Sequence, residues 1–340
     1  MSVGYTLKLP VYTEPNMPLS ATERQQFQDL GYLVKEDIFS QADLQPLKDA
    51  LTEVMDHECA TLQKEGLLSE ETFATEPFET RLGAIFKANP EAGERINQAI
   101  MGKGGGGFKG QAILDFLRHP PLVSCIESLV GPDIIGSSVY RIRPKAPGYT
   151  RGAVPWHQDS GYFLSHCDQS LIVTCWIPLV DSTIENGCMY VLPKSHRNGV
   201  VRHYTGGQGG YLEIAGEDLP TPKPVAIEMR AGSVLLMTNL TPHASFENET
   251  DIVRWSIDLR YQDPDVPHNV DELPEDFTPE RDPVTMACYP GEGDFVIKDP
   301  HHPEREVTDI AQFQEIRTRY ERTPIRSPGR GWTPLAERTP

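Results

Sequence analysis

The sequence predicts a mainly β protein with flanking helices, in which a helical N-terminal part precedes an antiparallel β core. Apolar residues recur at helical spacing within roughly the first 130 residues of the chain. From residue 134 the pattern changes to short strands, separated by turns that carry Gly, Pro, Asn and Asp. Such a run of short strands and turns is typical of a β-sandwich or barrel. The chain has 340 residues, 38% of them hydrophobic, which is enough for a substantial buried core.

The helical part begins after an arm, residues 1–19, whose prolines at 10, 15 and 18 disfavour a helix. Ser20 and Glu23 form a capping box, which predicts a helix that runs to about Leu30 and stops at Gly31. A short strand follows at residues 32–34. Ser40 starts a second predicted helix, which continues to about Lys64. Shorter helices are predicted at residues 95–101, 112–118 and 120–130.

A glycine-rich segment, residues 102–110, lies between two of these helices. It lacks the GxxxxGK[ST] order of a phosphate-binding loop, and no clear strand precedes it. We therefore interpret it as a flexible loop or lid.

The β part is predicted to span residues 134–262. Its candidate strands are 134–143, 153–157, 171–178, 188–192, 225–228, 233–238, 243–247 and 253–261. After residue 262 the chain becomes rich in proline and acidic residues. Residues 263–303 are expected to be a long surface excursion and 310–320 a helix, so that 263–340 forms an extension packed on the same domain.

Net charge and cysteine usage restrict the partners and the compartment. The formal net charge is −18, which argues against nucleic acid as the main partner, because an acidic surface repels phosphates. The sequence lacks an apolar run of the ~18 residues that a membrane helix needs, and its N-terminus does not resemble a secretory signal. Six cysteines without a CxxC pair suit a reducing cytoplasm. We expect a cytoplasmic protein whose partner is a small molecule. A homo-oligomeric state is compatible with these features.

Three residues form a candidate metal site. His157 and Asp159 are two apart, so on a strand their side chains point to the same face. His243 is the best candidate for a third ligand. Two histidines and one carboxylate on one face of an octahedral ion form the facial arrangement of non-haem Fe(II) oxygenases.

An alternating strand supplies a candidate anion site. Residues 253–261 alternate strictly between apolar and polar side chains, with Arg254 on the polar face. An arginine fork can clamp a carboxylate through two hydrogen bonds. Ser245 shares the face of His243 and can bind the same carboxylate.

These residues, together with two further segments, resemble the phytanoyl-CoA dioxygenase (PhyH-like) family of Fe(II)/2-oxoglutarate-dependent oxygenases. The resemblance covers residues 20–262. It is carried by the Gly-Tyr-Leu-Val segment at 31–34, Trp-His-Gln-Asp at 156–159, the stretch NGCMYVLPKSH at 186–196, and residues 243–254. It implies a double-stranded β-helix (jelly roll, cupin-like) with helices packed on its outer sheet.

The resemblance also implies residue roles and cofactors. His157, Asp159 and His243 would bind Fe(II), and Arg254, helped by Ser245, would anchor the distal carboxylate of 2-oxoglutarate. Trp176 resembles the aromatic residue that lines the cosubstrate pocket. The cosubstrates are 2-oxoglutarate and O₂, and the products are succinate, CO₂ and an oxidised, typically hydroxylated, substrate.

Arg141 is a further candidate for binding the cosubstrate, and Arg143, Tyr162 and Phe163 are candidate substrate residues. Both arginines can contact 2-oxoglutarate or an anionic substrate, or they can be solvent-facing charges on an edge strand. Tyr162 and Phe163 follow the metal ligands closely and line the substrate pocket or belong to the core. The favoured substrate is a small metabolite or natural-product intermediate, because the acidic chain disfavours the phosphate-rich head of an acyl-CoA.

Three alternative functions stay open at this point. The chain could be an acyl-CoA 2-hydroxylase within the same family, or a catalytically inactive jelly-roll protein that binds or senses a ligand. A Zn(II) cupin-like hydrolase is the third alternative, although it would not need an arginine that anchors a carboxylate beside the metal.

Overall fold

Two antiparallel β-sheets face each other and form the core of a jelly roll. The computed structural model describes residues 18–69, 72–101, 107–137, 140–149, 152–163, 165–266, 295–322 and 331–338. The predicted arm at 1–19 and the glycine-rich segment at 102–110 therefore lie largely outside the described residues. Within the described part, no helix is both long and apolar enough to cross a membrane.

Helices cover one face of the larger sheet. They are α1 (Ala21–Leu30), α2 (Gln41–Lys64), α3 (Phe78–Ala88), α4 (Pro90–Met101), α5 (Gln111–Leu117), α6 (Pro120–Val130) and α7 (Ile310–Arg322). The predicted starts of α1 and α2 are confirmed. Ser20 Oγ accepts a hydrogen bond from Glu23 N, and the Glu23 carboxylate accepts one from Ser20 N. Ser40 and Asp43 make the same reciprocal pair, so each helix start has two of its free N–H groups satisfied.

Gly31 ends α1 in a conformation that only glycine adopts readily. Its φ is +84°, and its N–H donates to Phe27 O across the last turn. A Cβ at this position would also lie 2.4 Å from Nδ1 of His196. The predicted stop at Gly31 is thus explained twice, by backbone conformation and by close packing.

The strands are β1 (Tyr32–Lys35), β2 (Ile134–Gly136), β3 (Arg141–Lys145), β4 (Val154–His157), β5 (Val173–Pro178), β6 (Met189–Val191), β7 (Val225–Ile227), β8 (Val234–Thr238), β9 (His243–Ser245), β10 (Arg254–Gln262) and β11 (Phe295–Lys298). The larger sheet has seven of these strands, in the order β1-β8-β5-β10-β2-β11, with β3 also paired to β10. The smaller sheet has four strands in the order β4-β9-β6-β7.

Two elements escaped prediction. Helix α3 lacks a polar N-cap, since Pro77 precedes it, and it makes no side-chain capping bond. Strand β11 lies inside the segment at 263–303 that was expected to be a surface excursion, and that expectation is wrong at Phe295–Lys298. This strand pairs with β2 and extends the larger sheet, and its Phe295 is fully buried.

Two apolar layers hold the sheets and helices together. The main one lies between the helices and the outer face of the larger sheet, and the second fills one end of the space between the sheets. Strand β10 separates the two environments. Its apolar face, with Trp255, Ile257 and Leu259, packs in the helical layer, whereas Arg254 and Asp258 on its other face line a cavity between the sheets. The predicted alternation of this strand is confirmed.

Candidate metal centre and cosubstrate pocket

Strand pairing in the smaller sheet brings two histidines together. His157 ends β4 and His243 begins β9, and their Cα atoms are partners in the antiparallel register. Partners in such a pair project from the same face, so both imidazoles point into the space between the sheets. The ring centroids lie 4.2 Å apart. Asp159 follows β4 directly and joins them.

The three side chains form a cluster that can hold a metal ion. One ligand atom from each of His157, Asp159 and His243 lies within 4.8 Å of the others, and all three residues are buried. His157 Nε2 and Asp159 Oδ1 are 4.0 Å apart. Two imidazoles and a carboxylate are the donor set of facial-triad Fe(II) sites.

Hydrogen bonds fix the tautomer of both histidines. Nδ1 of His157 donates to Pro155 O, and Nδ1 of His243 donates to Thr241 O, each over 2.9 Å. A carbonyl oxygen can only accept, so Nδ1 carries the proton and Nε2 keeps its lone pair for a metal. Burial, reinforced by the neighbouring His243, lowers the pKa of His157 well below its usual value, so this ring is neutral at pH 7.

The Asp159 carboxylate is held on both oxygens. Arg260 donates from Nη2 to Oδ1 over 3.0 Å and from Nε to Oδ2 over 3.1 Å, and Thr174 Oγ1 donates to Oδ2 over 2.5 Å. Burial by itself would raise the pKa of Asp159, but Arg260 and the nearby His243 lower it overall. The carboxylate is therefore ionised, and Oδ1, with one hydrogen bond, is the oxygen better able to bind a metal.

A small cavity opens beside the cluster. All three metal-ligand candidates line it, as do the predicted residues Trp176, Ser245, Arg254 and Arg143. Further lining residues are Val154, Thr174, Met189, Met237, Ala244, Asp258 and Arg260.

Arg254 is a buried cation without a counter-ion among the described residues. Its Nε and Nη1 have no hydrogen-bond partner there, and its guanidinium carbon lies 5.1 Å from the centre of the Trp176 ring. Burial, together with the charge of Arg143, lowers the pKa of Arg254 to about 9. Leaving such donors unpaired is costly, so the site suits an anion that pairs with them. A dicarboxylate that reaches from the metal to Arg254 fits these residues.

The remaining predicted residues lie in different surroundings. Arg141 donates from Nη1 to Tyr140 O over 3.1 Å and does not line the cavity. Tyr162 packs its ring edge against His157, and its hydroxyl accepts from Leu212 N. Burial raises the pKa of Tyr162 to about 12. Phe163 packs with Cys167 and Ile172 in a small apolar cluster.

A model of the family described as "Phytanoyl-CoA dioxygenase (PhyH)" matches residues 27–256 of the sequence. The chain belongs to the PhyH family. The chain is 22% identical over 264 residues to a probable phytanoyl-CoA dioxygenase of Caenorhabditis elegans, covering 75% of this chain and 79% of the relative. It is 25% identical over 262 residues to the peroxisomal phytanoyl-CoA dioxygenase of Rattus norvegicus, covering 74% and 70%. A phytanoyl-CoA dioxygenase of Arabidopsis thaliana is 36% identical over 126 residues, which cover 36% of this chain and 42% of the plant protein.

Solved structures share the fold. A non-heme monooxygenase, ThoJ in its apo form, superposes with a TM-score of 0.53 at 18% identity, covering 88% of this chain and 95% of the other. EctD from S. alaskensis with bound Fe superposes with a TM-score of 0.50 at 21% identity, covering 84% and 89%. The PhyH-family chain is accordingly an Fe(II)- and 2-oxoglutarate-dependent oxygenase with a cupin-type fold, and its family is consistent with a small-molecule substrate.

Several residues of this PhyH-family site were not singled out from the sequence. Arg260 stands on the polar face of β10, where the alternation placed it, but that pattern assigned it no partner. Thr174 lies on β5, whose pairing with β10 sets it opposite Arg260. His203 lies in a loop and was not singled out either. It is fully buried, and its Nε2 accepts from Gln158 N, between two metal-ligand candidates.

Proposed function

We propose that this chain oxidises a C–H bond of a small, anionic metabolite, with 2-oxoglutarate and O₂ as cosubstrates. The overall reaction converts the C–H bond to C–OH, and 2-oxoglutarate to succinate and CO₂, with one O₂ consumed. The observation that supports it best is the unpaired, buried guanidinium of Arg254 in the same cavity as His157, Asp159 and His243.

The chain's own residues would hold Fe(II) and 2-oxoglutarate as follows. His157 Nε2, His243 Nε2 and Asp159 Oδ1 would bind the metal, leaving three positions of an octahedral ion for cosubstrates. Arg254, with Ser245, would pair with the distal carboxylate of 2-oxoglutarate, and Trp176 would cover it. When bound, the metal and its cosubstrates supply the oxidising power that breaks the C–H bond.

Arg143 supports an anionic substrate. Its Nε donates to Asp258 Oδ1 over 2.6 Å, which fixes the guanidinium at the cavity wall. Among the described residues the Arg143 side chain makes no other hydrogen bond or ion pair, and it lines the cavity, so its two terminal nitrogens are available to a ligand. A fixed arginine fork that presents two N–H groups is suited to a carboxylate or phosphate. We also propose that Tyr162 and Phe163 form part of the apolar surroundings of the bound substrate.

A turnover assay tests the proposed function. The purified protein would be loaded with Fe(II) and incubated in air with 2-oxoglutarate and a small-molecule metabolite extract, with phytanoyl-CoA assayed separately. We expect succinate release together with a metabolite that gains one oxygen atom derived from ¹⁸O₂. His243→Ala, which removes a metal ligand, serves as the control. Succinate release no greater than in that variant, with every substrate tried, would contradict the proposal, and turnover of phytanoyl-CoA alone would favour an acyl-CoA substrate.

A further inference from the structure

Lys145 is a buried lysine beside the proposed carboxylate anchor. It ends β3, and its Cα is the register partner of Arg254 on β10. Only 2% of the residue is exposed. Its Nζ donates to Ser245 Oγ over 2.5 Å and also to the backbone oxygen of Phe246. The amine of Lys145 therefore touches one of the two side chains proposed for 2-oxoglutarate, and the residue lies beside the other.

The surroundings of Lys145 contain too little negative charge to balance it. The titratable and charged groups that face it are Arg254 on β10, Arg143 on β3, the Cys188 thiol before β6, and Glu247 after β9. No ion pair links Lys145 or Arg254 to a carboxylate in the part of the chain that the structure describes. Two buried cations side by side without an anion would be costly, so a charge on Lys145 is favoured only when a carboxylate is bound beside it.

Tight packing fixes the lysine in this place. A Cβ at Gly152 would lie 3.1 Å from Lys145 Cγ, and one at Gly187 would lie 3.1 Å from its Cδ. The backbone oxygen of Lys145 accepts a hydrogen bond from Asn248 Nδ2 over 2.8 Å. Because both stem and backbone are held, Nζ cannot swing out to water and stays against Ser245.

We propose that Lys145 is a positioning residue for the distal carboxylate of 2-oxoglutarate, holding Ser245 Oγ in place and adding a second positive charge next to Arg254. This inference rests on the proposed function. It also concerns specificity, since two cations at the far end of the pocket favour a 2-oxo dicarboxylate over a 2-oxo monocarboxylic acid.

Binding of the dianion should draw a proton from the solvent onto Lys145 Nζ. In the free protein, burial and then the charges of Arg254 and Arg143 lower the pKa of Lys145 to about 5, so the amine is neutral at pH 7. A carboxylate bound nearby favours the charged form and raises this pKa. Affinity for 2-oxoglutarate is therefore highest at low pH and falls as the pH rises through the pKa that Lys145 has in the complex.

The experiment compares Lys145→Met with Lys35→Met in the full-length protein. Methionine keeps most of the length and apolar volume of the lysine stem. Lys35 is the matched control, because it lies on the edge strand β1 and pairs with Glu23, away from the cavity. The dissociation constants of 2-oxoglutarate and of 2-oxobutyrate would be measured anaerobically, with Fe(II) already bound, between pH 6 and 9.

We expect Lys145→Met to bind 2-oxoglutarate roughly tenfold more weakly at pH 7, as when a hydrogen bond to a charged group is lost. The variant should also lose most of the pH dependence and most of the preference over 2-oxobutyrate. Lys35→Met should behave like the wild type. Equal affinity and an equal pH slope in Lys145→Met and the wild type would overturn the inference, because a merely structural lysine leaves both unchanged.

If Lys145→Met does not fold, calorimetry of the wild-type protein tests the inference instead. Titrating the Fe(II) protein with 2-oxoglutarate at pH 7 in two buffers of different ionisation enthalpy gives the number of protons taken up. Uptake approaching one proton supports the inference, and no uptake overturns it. If the wild type does not bind 2-oxoglutarate at all, that result contradicts the proposed function. The inference about Lys145 is then contradicted as well, because it rests on that function.

Discussion

At the scale of single residues, Arg260 is expected to set the affinity for iron. It donates to both oxygens of Asp159, and through Nη1 it also reaches Asp258 over 3.3 Å. Lysine keeps the charge but cannot make the paired bonds. We predict that Arg260→Lys weakens Fe(II) binding roughly 10- to 100-fold, the usual effect of losing a hydrogen bond behind a metal ligand. Anaerobic competition with a chelator measures this affinity.

The control for this variant is Arg202→Lys. Arg202 stacks over the Tyr204 ring and is exposed, so its replacement should leave Fe(II) affinity unchanged. If Arg260→Lys binds Fe(II) as tightly as Arg202→Lys, then the bonds from Arg260 do not orient Asp159.

Lys145 also makes stability depend on pH. The folded protein holds this amine with a pKa of about 5, whereas an unfolded chain would keep the ordinary value of 10.5. Between these limits the unfolded state binds the extra proton, so stability rises with pH, by at most about 1.4 kcal/mol per pH unit from this group. We predict that Lys145→Met stabilises the ligand-free protein at pH 7 and flattens the rise in stability between pH 7 and 9. Urea unfolding at several pH values checks this, and an identical slope in both proteins would contradict it.

At the scale of secondary-structure elements, the sequence patterns that proved reliable were those with a local cause. The capping box at Ser20 and the acidic first turn after Ser40 predicted both helix starts, and the strict alternation of β10 predicted which face lines the cavity. Strand β11 could not be predicted in this way. It is only four residues long, and it is a strand because it pairs with β2, about 160 residues earlier in the chain.

The C-terminal segment, residues 331–338, is an element with a predicted effect on the metal centre. Trp332 Nε1 donates to Gly161 O over 2.8 Å, and the centre of its ring lies 5.3 Å from that of His203. His203 in turn accepts a hydrogen bond from the backbone N–H of Gln158. We predict that Trp332→Ala weakens Fe(II) binding several-fold while the protein stays folded, because the loop that carries Asp159 loses support. The same anaerobic competition assay measures the effect.

Arg338→Gln is the matched control within that segment. Arg338 pairs with Glu217 and does not contact the metal-ligand loop. An equal loss of affinity in both variants would mean that general loosening of the segment, rather than the contact of Trp332 with Gly161, is responsible.

At the scale of the whole molecule, the acidic net charge contrasts with a group of basic residues around the cavity. The chain carries −18 overall, yet Arg143, Arg254 and Arg260 line the cavity and Lys145 contacts Ser245 at its wall, against two carboxylates, Asp159 and Asp258. The ligand set and Arg254 could be inferred from sequence, because spacing and alternation put them on suitable faces. The partners of Asp159 and the position of Lys145 depend on cross-strand register, which the sequence alone does not specify.

The most direct test is an anaerobic titration of the protein with Fe(II) and 2-oxoglutarate, followed by visible absorption. A 2-oxo acid that chelates a facial-triad iron gives a weak metal-to-ligand charge-transfer band. We predict this band in the wild type, its loss in Asp159→Ala, and a much higher 2-oxoglutarate concentration for half-saturation in Arg254→Gln. A folded wild-type protein that binds iron and shows no such band with 2-oxoglutarate would contradict the assignment of this cavity as an Fe(II) and 2-oxoglutarate site.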